Sequence, residues 1–142
     1  MKKTFLRKKS KNPASQAKER IQKLLTMIVR IRDGCIFRHY SEAGACNGYI
    51  AADHIISRVY SACYADLRNV VGSCQRHHIF WKPQNPILYA SLVEKHIGKE
   101  RWAWIQKAQT ALQDRKPVKM DWQKEELALK QELKKYEKNK TY

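Results

Sequence analysis

Cysteine and histidine residues are concentrated in the middle of this 142-residue chain. All four cysteines and four of the five histidines lie between residues 35 and 78. Thiolate and imidazole groups are the ligands that zinc prefers. The N-terminal sequence lacks the long apolar stretch and small-residue cleavage site of a secretion signal. We therefore expect a cytoplasmic, reducing environment, in which such clusters bind metals rather than form disulfides.

A second group of side chains in the same stretch combines a carboxylate, two imidazoles and an amide. Asp53 and His54 are adjacent at the end of a predicted short strand, Asn69 follows fifteen residues after His54, and His78 lies on a predicted helix. Phosphodiester hydrolysis needs water that is deprotonated near neutral pH, and a divalent ion that neutralises charge on the phosphate and leaving oxygen. Groups of these types could together supply that chemistry, although each alone is typical of a core histidine or a turn.

The order of these residues resembles the HNH endonuclease family, with its ββα-metal fold, over roughly residues 32–83. The residues that carry the resemblance are Asp53-His54, Asn69 and Cys74-x-x-His77-His78. The resemblance implies that His54 is the general base and that Asn69 holds its imidazole in orientation. It also implies that Asp53 and His78 hold one Mg²⁺ or Mn²⁺. A carboxylate with an imidazole suits these ions only loosely, so the identity of the metal is open.

The same resemblance implies a structural zinc, because many HNH proteins hold one with two Cys-x-x-Cys pairs. Here His77 stands where the second cysteine of the downstream pair would be, and the upstream pair is irregular because Arg38 follows Cys35 at the third position. Cys46 is then the most economical partner, with His39 as a competitor for the fourth place. The expected ligands are Cys35, Cys46, Cys74 and His77. The alternative is small buried thiols without metal, and Cys63 is expected to be a bystander.

Three arginines near these residues are candidates for binding the phosphates of a substrate. Arg58 follows Asp53-His54 closely, and Arg68 and Arg76 flank Asn69 and the following helix. A guanidinium can bind a phosphate through two parallel hydrogen bonds, so Arg58 is the first choice. The alternative for each arginine is a solvated surface charge.

The charge of the chain is strongly positive and unevenly distributed. The net charge is +16, of which residues 1–33 carry +9, residues 34–93 carry +2 and residues 94–142 carry +5. Basic flanks suit a polyanion, because each neutralised phosphate releases condensed counterions. We therefore expect DNA, double-stranded or branched, as the partner. No apolar run is long enough to span a membrane, and a solubilising role is the alternative for the flanks.

The elements that must position these residues can be predicted from periodicity and from capping residues. Asn12-Pro13 begins a helix with an apolar stripe that ends near Asp33-Gly34. Asn47-Gly48 predicts a hairpin turn followed by a strand over 49–52. After it we expect an extended segment at 69–72 and four helices, over 74–81, 86–96, 99–113 and from Asp121 onward. The expected fold is α+β, a small ββα-metal centre between helical flanks. The predicted segments are a disordered basic arm (1–11), an N-terminal helix (12–34), a nuclease core (35–83) and a basic helical region (84–142).

A narrower resemblance concerns the Rap (NinG) recombination endonucleases of lambda-like phages. It lies in Gln84-Asn85-Pro86 leading to Tyr89, Leu92-Val93 and the run from His96 to Glu100. It implies action on branched DNA or recombination intermediates in a bacterial host. The function expected from the whole sequence is a metal-dependent HNH endonuclease that hydrolyses phosphodiester bonds.

Two alternatives stay open, a non-catalytic zinc-stapled nucleic-acid-binding module and an RNA-binding protein. The striped helices at 13–33 and 121–138 could also pair across a two-fold axis in a homodimer.

Overall fold

The computed structural model describes residues 12–113 and 118–140, and the predictions of a basic arm over 1–11 and of a break at 115–117 lie outside these residues. The chain is α+β, mostly helical around one two-stranded antiparallel sheet. Its elements are α1 (Pro13–Arg32), 3₁₀ turns at Ile36–His39 and Ser41–Ala43, β1 (Ile50–His54), α2 (Ser61–Tyr64), a 3₁₀ turn at Leu67–Asn69, β2 (Val70–Cys74), α3 (π-helical Arg76–Trp81 continuing into Lys82–Gln84), α4 (Pro86–Ile97), α5 (Lys99–Gln113) and α6 (Trp122–Asn139). Among the described residues no helix is long and apolar enough to cross a membrane.

The first helix forms where its caps and apolar stripe predict it. The side chain of Asn12 accepts a hydrogen bond from the Ser15 N–H at 2.8 Å, and Pro13 occupies the first turn, where its missing N–H costs nothing. The apolar stripe is buried, and the helix ends at Arg32 before Gly34, whose φ of 64° is a left-handed conformation that favours glycine. The same logic confirms α6, since the Asp121 side chain accepts from the Lys124 N–H.

The sheet differs from the predicted hairpin. Strand β1 pairs with β2, with Ile50 opposite Cys74 and His54 opposite Val70, and not with a strand before Asn47. The Asn47 carbonyl instead accepts from the Arg76 N–H at 3.0 Å. The Asn-Gly turn therefore leads the chain past the start of α3. The prediction of a hairpin turn at 47–48 was wrong because a backbone contact distant in sequence directs this loop. Cys74 also ends β2 rather than beginning the helix.

The C-terminus of α1 is fixed against β2 by a close backbone approach. Gly72 lies so near Gly34 that a Cβ atom at residue 72 would collide with the Gly34 carbonyl oxygen. The Gly72 N–H also donates to the Asp33 carboxylate at 2.9 Å. This contact places Gly34 directly beside the middle of β2.

Two apolar layers cover the sheet. One joins α1, α6 and residues such as Ala52 and Val70, and the other joins Val71 to the start of α3 and to α4. The apolar face of α6 packs along α1 within the same chain, with Leu129 and Leu133 buried against the α1 stripe. The two apolar faces thus cover each other within one chain, and the homodimer that the sequence suggested stays a prediction.

Candidate metal centre and active-site cleft

Four metal-ligating side chains meet where three segments of the chain converge. Their ligand atoms all lie within 4.8 Å of one another, and they belong to Cys35, Cys46, Cys74 and His77. The three sulfur atoms lie 3.6, 3.8 and 3.0 Å from His77 Nδ1. Ligand atoms of a tetrahedral zinc site lie roughly 3.5–3.8 Å apart, given the usual Zn–S and Zn–N bond lengths. The cluster can therefore hold a metal ion, as the sequence predicts.

The groups around His77 orient its ring for such an ion. His77 Nε2 donates to the Ala43 carbonyl at 2.9 Å, which leaves the Nδ1 lone pair facing the sulfurs. The Arg76 guanidinium donates to the carbonyls of Ala43 and Ala45 at 2.9 and 2.7 Å, and so fixes the loop that carries Cys46. Hydrogen bonds of this kind set the tautomer and direction of a ligating histidine.

The thiols differ in their acidity. Burial raises the pKa of Cys35 and raises that of Cys46 to about 12. Burial also acts to raise the pKa of Cys74, but backbone N–H groups of His77 and Asn47 outweigh it, so the pKa of Cys74 is lowered. Cys74 is therefore the thiol of the cluster that ionises most readily, and metal binding would release the protons that the thiols carry.

Two other candidates lie away from the cluster. His39 is exposed and stacks on His96 at 6.0 Å between ring centroids, so it does not compete for the fourth ligand position. Cys63 is buried in a separate apolar cluster with Ile56 and Ile105.

Aromatic side chains cover the cysteine cluster. The ring centroids of Phe37 and Trp81 lie 5.4 and 5.5 Å from that of His77.

A second group of predicted residues lines one cleft with a volume of about 480 Å³. Among its lining residues are Asp53, His54, Arg58, His78 and Lys82. Asp53 and His54 come from the end of β1, Arg58 from the loop that follows it, and the other two from α3. The strand end and the helix thus bring residues 53, 54 and 78 together, as the sequence predicts.

His54 has the properties of a proton acceptor. Its Nε2 donates to the Tyr64 carbonyl at 2.8 Å, which leaves Nδ1 without the proton. Burial lowers the pKa of His54, and the cations Arg58 and Lys82 lower it further, against the opposite effects of the Tyr64 carbonyl and Asp53. The imidazole is therefore neutral near pH 7, which is the form that a general base requires.

Asn69 does not make the contact with His54 that the resemblance implies. Its side-chain oxygen accepts from the Ile56 N–H at 2.7 Å, and its amide donates to the carbonyls of Ile56 and Cys63 at 3.1 Å each. The group that orients His54 is the Tyr64 carbonyl. Asn69 instead closes the loop after β1, because its short amide satisfies three buried backbone groups at once.

Asp53 is completely buried and already has partners for both carboxylate oxygens. Oδ1 lies 2.6 Å from Lys82 Nζ and 3.7 Å from His78 Nε2, and Oδ2 accepts from the Tyr89 hydroxyl at 3.1 Å. Burial and the Asp53 charge raise the pKa of Tyr89, so this hydroxyl stays protonated and donates. A carboxylate and an imidazole are ligand types that Mn²⁺ or Mg²⁺ can take, but Lys82 already pairs with Oδ1.

The three candidate arginines occupy different environments. Arg58 is exposed and lines the cleft. Arg68 pairs with Asp66 at 2.7 Å and lies over the Trp104 ring, and Arg76 is bound to the carbonyls beside the cysteine cluster. The structure therefore brings only Arg58 of the three into the cleft. Arg68 and Arg76 lie outside the cleft lining, and their contacts with a substrate stay predictions.

The sequence interpretation missed two residues that bind the Asp53 carboxylate, Lys82, which also lines the cleft, and Tyr89. A signal for Lys82 was present, because it is the only lysine in residues 34–93 and follows His78 by four residues, which places both on one helix face. Tyr89 carries no comparable local signal, since its contact with Asp53 joins positions 36 residues apart.

Comparison of the chain with protein-family models, with curated proteins and with solved structures gave no match. The chemistry of the cleft and of the cysteine cluster is therefore the basis on which a function can be argued.

Proposed function

We propose that this protein is a metal-dependent DNA endonuclease of the HNH class. The observation that carries the proposal is the cleft in which a neutral buried imidazole, a buried carboxylate, a second imidazole and an exposed guanidinium converge (His54, Asp53, His78 and Arg58). A structural role alone would not require these four groups to face one solvent-accessible space.

In the proposed reaction His54 Nδ1 accepts a proton from the attacking water, while the Tyr64 carbonyl holds the ring. Arg58 binds a non-bridging oxygen of the scissile phosphate. Asp53 and His78 would hold Mg²⁺ or Mn²⁺, which supplies stabilisation of the negative charge that develops on the phosphate and leaving oxygen. The attack of water breaks the P–O bond and leaves a phosphate on one strand end and a hydroxyl on the other.

We further propose that the cluster of three cysteines and His77 holds a structural zinc ion. It fixes the loop after α1, the end of β2 and the start of α3, and so supports the helix that carries His78 and Lys82. The basic flanks then bind DNA phosphates. Such contacts position DNA without reading its sequence, so we expect selectivity for branched or recombination-intermediate DNA rather than for a base sequence.

The test is cleavage of supercoiled plasmid and of a synthetic four-way junction by the purified chain, with Mg²⁺, Mn²⁺ or EDTA. We expect metal-dependent nicking that His54→Ala abolishes and that the matched variant His39→Ala, outside the cleft, retains. Preference for the junction would support the branched substrate.

The alternative is a zinc-stapled binding module, which the closed cysteine cluster favours, and it is tested by measuring zinc content and DNA binding beside cleavage. Stoichiometric zinc and DNA binding, with no cleavage under any ion, would support that alternative and overturn the nuclease proposal. Binding of RNA in preference to both DNAs would favour the RNA-binding protein.

A further inference from the structure

Lys82 occupies the oxygen of Asp53 that a divalent ion would need. Its Nζ lies 2.6 Å from Asp53 Oδ1 and 3.1 Å from the His54 carbonyl oxygen. The Asp53 side chain is 0% exposed, while that of Lys82 is 28% exposed. A buried carboxylate without a counter-charge is costly, so this ion pair stabilises the metal-free chain.

The position of His78 shows that the two cations would compete. His78 Nε2 lies 3.7 Å from the same Oδ1, and Lys82 follows His78 by four residues on α3. An ion bound at roughly 2.1 Å from Oδ1 would lie within about 5 Å of the Lys82 ammonium group, because that group is 2.6 Å from the same oxygen. Two positive charges at this spacing repel each other. An ion bound by His78 and Oδ1 would therefore weaken the Lys82–Asp53 pair.

We propose that Lys82 is an internal counter-ion that competes with the divalent ion for Asp53 and is displaced into the cleft when the ion binds. The inference rests on the proposed function, since the ion is the one that the nuclease would use. The displaced ammonium group faces the cleft that Arg58 also lines, where a DNA phosphate is its new partner. Metal and phosphate then bind cooperatively, because each one favours the displaced position of Lys82.

The test compares Mn²⁺ affinity in the zinc-loaded full chain and in its variants, measured without DNA from the paramagnetic resonance signal of free Mn²⁺. We expect Lys82→Met to bind Mn²⁺ at least about tenfold more tightly than wild type, within the range usual for couplings between sites. The matched variant Lys95→Met, on α4 outside the cleft, should bind as wild type does. Lys82→Met should also have a lower Tm than wild type without Mn²⁺, and regain it with Mn²⁺.

The wild type offers a second measurement if Lys82→Met does not fold. Saturating Mg²⁺ should change the ¹³Cε chemical shift of Lys82, and inorganic phosphate should tighten Mn²⁺ binding. Equal Mn²⁺ affinity in wild type and Lys82→Met, or an unchanged Lys82 signal, would overturn the inference while metal-dependent cleavage still supported the nuclease. Absence of Mn²⁺ binding in wild type, Lys82→Met and Asp53→Asn alike would overturn both.

Discussion

At the scale of single residues, a backbone carbonyl and a buried ion pair hold the cleft side chains in place. Direct contacts among His54, His78 and Arg58 do not. The Tyr64 carbonyl selects the tautomer of His54, and Lys82 and Tyr89 saturate Asp53. Groups held in this way lose little entropy when a substrate binds, because their rotamers are already selected. The residues to which the proposed function assigns chemistry are thus held by a backbone carbonyl and by the buried Lys82–Asp53 pair.

Asn69 provides a test of this division between chemistry and support. Asn69→Ala removes three hydrogen bonds and takes away the partner of both the Ile56 N–H and the Ile56 carbonyl, whereas the Cys63 carbonyl still accepts from the Asp66 N–H. We expect the free energy of unfolding, measured with urea, to fall by roughly 3 kcal/mol, since each orphaned buried group costs about 1–3 kcal/mol. Asn139→Ala, at the exposed end of α6, should change it little. Full stability with lost cleavage would instead show that Asn69 acts on His54 directly.

At the scale of elements, the parts that sequence could predict are those with local causes. The helices α1, α4, α5 and α6 follow from capping residues and apolar periods that act within a few residues. The pairing of β1 with β2 depends on a fifteen-residue connection and on the fit of Gly72 against Gly34, which no local pattern reveals. The four zinc-ligand candidates could be predicted because few residue types bind zinc, whereas the Lys82–Asp53 pair joins common charged residues from distant positions.

The cysteine cluster should stabilise the packing of the segment after α1 against β2 and α3. Cys46→Ser removes one thiolate, so we expect the purified variant to contain less than half of the zinc found in wild type and to have a lower Tm, because metal binding is coupled to folding. The matched variant Cys63→Ser lies outside the cluster and should retain its zinc. Zinc content can be measured with a colorimetric chelator after denaturation. Equal zinc in wild type and Cys46→Ser would exclude Cys46 as a ligand.

The contact between α1 and α6 should be sensitive to acid. Arg20 donates to both oxygens of Glu126 at 2.9 and 3.2 Å, and this hydrogen bonding lowers the Glu126 pKa below its ordinary value of 4.5. A lowered carboxylate pKa adds stability above the unfolded value, which is lost as the pH falls through the folded value. The Tm of wild type should therefore exceed that of Glu126→Gln at pH 7, and the difference should shrink as the pH falls below 4.5 and through the lowered pKa of the folded state.

The control for the acid effect is Glu132→Gln, because Glu132 pairs with Lys135 on the same helix but is 38% exposed. Exposed pairs contribute little, so its Tm should follow wild type across the pH range. A difference between wild type and Glu126→Gln that does not shrink as the pH falls would show that the charge of Glu126 is not its cause.

At the scale of the whole molecule, the distribution of charge separates binding from chemistry. The central stretch that holds the cleft carries a net charge of only +2, whereas the flanks carry +9 and +5. A nearly neutral centre leaves the local field at the cleft to Asp53, Lys82 and Arg58. The flanks would attract a polyanion from a distance, and more weakly as ionic strength rises. Removing charge from a flank should therefore lower the affinity for DNA and leave the affinity of the cleft for Mn²⁺ unchanged.

Removal of residues 1–11 isolates the contribution of one flank. This segment contains six of the basic residues and no acidic residue, and the deletion keeps Asn12, which caps α1. On duplex DNA, each neutralised phosphate contributes about −0.9 to the slope of log binding constant against log salt concentration. If each of the six basic residues neutralises one phosphate, the deletion should make this slope shallower by about 5.

The measurement is fluorescence anisotropy with a labelled duplex between 50 and 300 mM salt, roughly the range over which phosphate contacts are screened. Mn²⁺ affinity, which depends on the cleft alone, should be the same in the deletion variant and in the full chain. A slope unchanged by the deletion would show that the N-terminal charges do not contact the backbone, and that residues 94–142 bind DNA without them. A full chain whose binding is insensitive to salt would remove phosphate contacts as the source of affinity altogether.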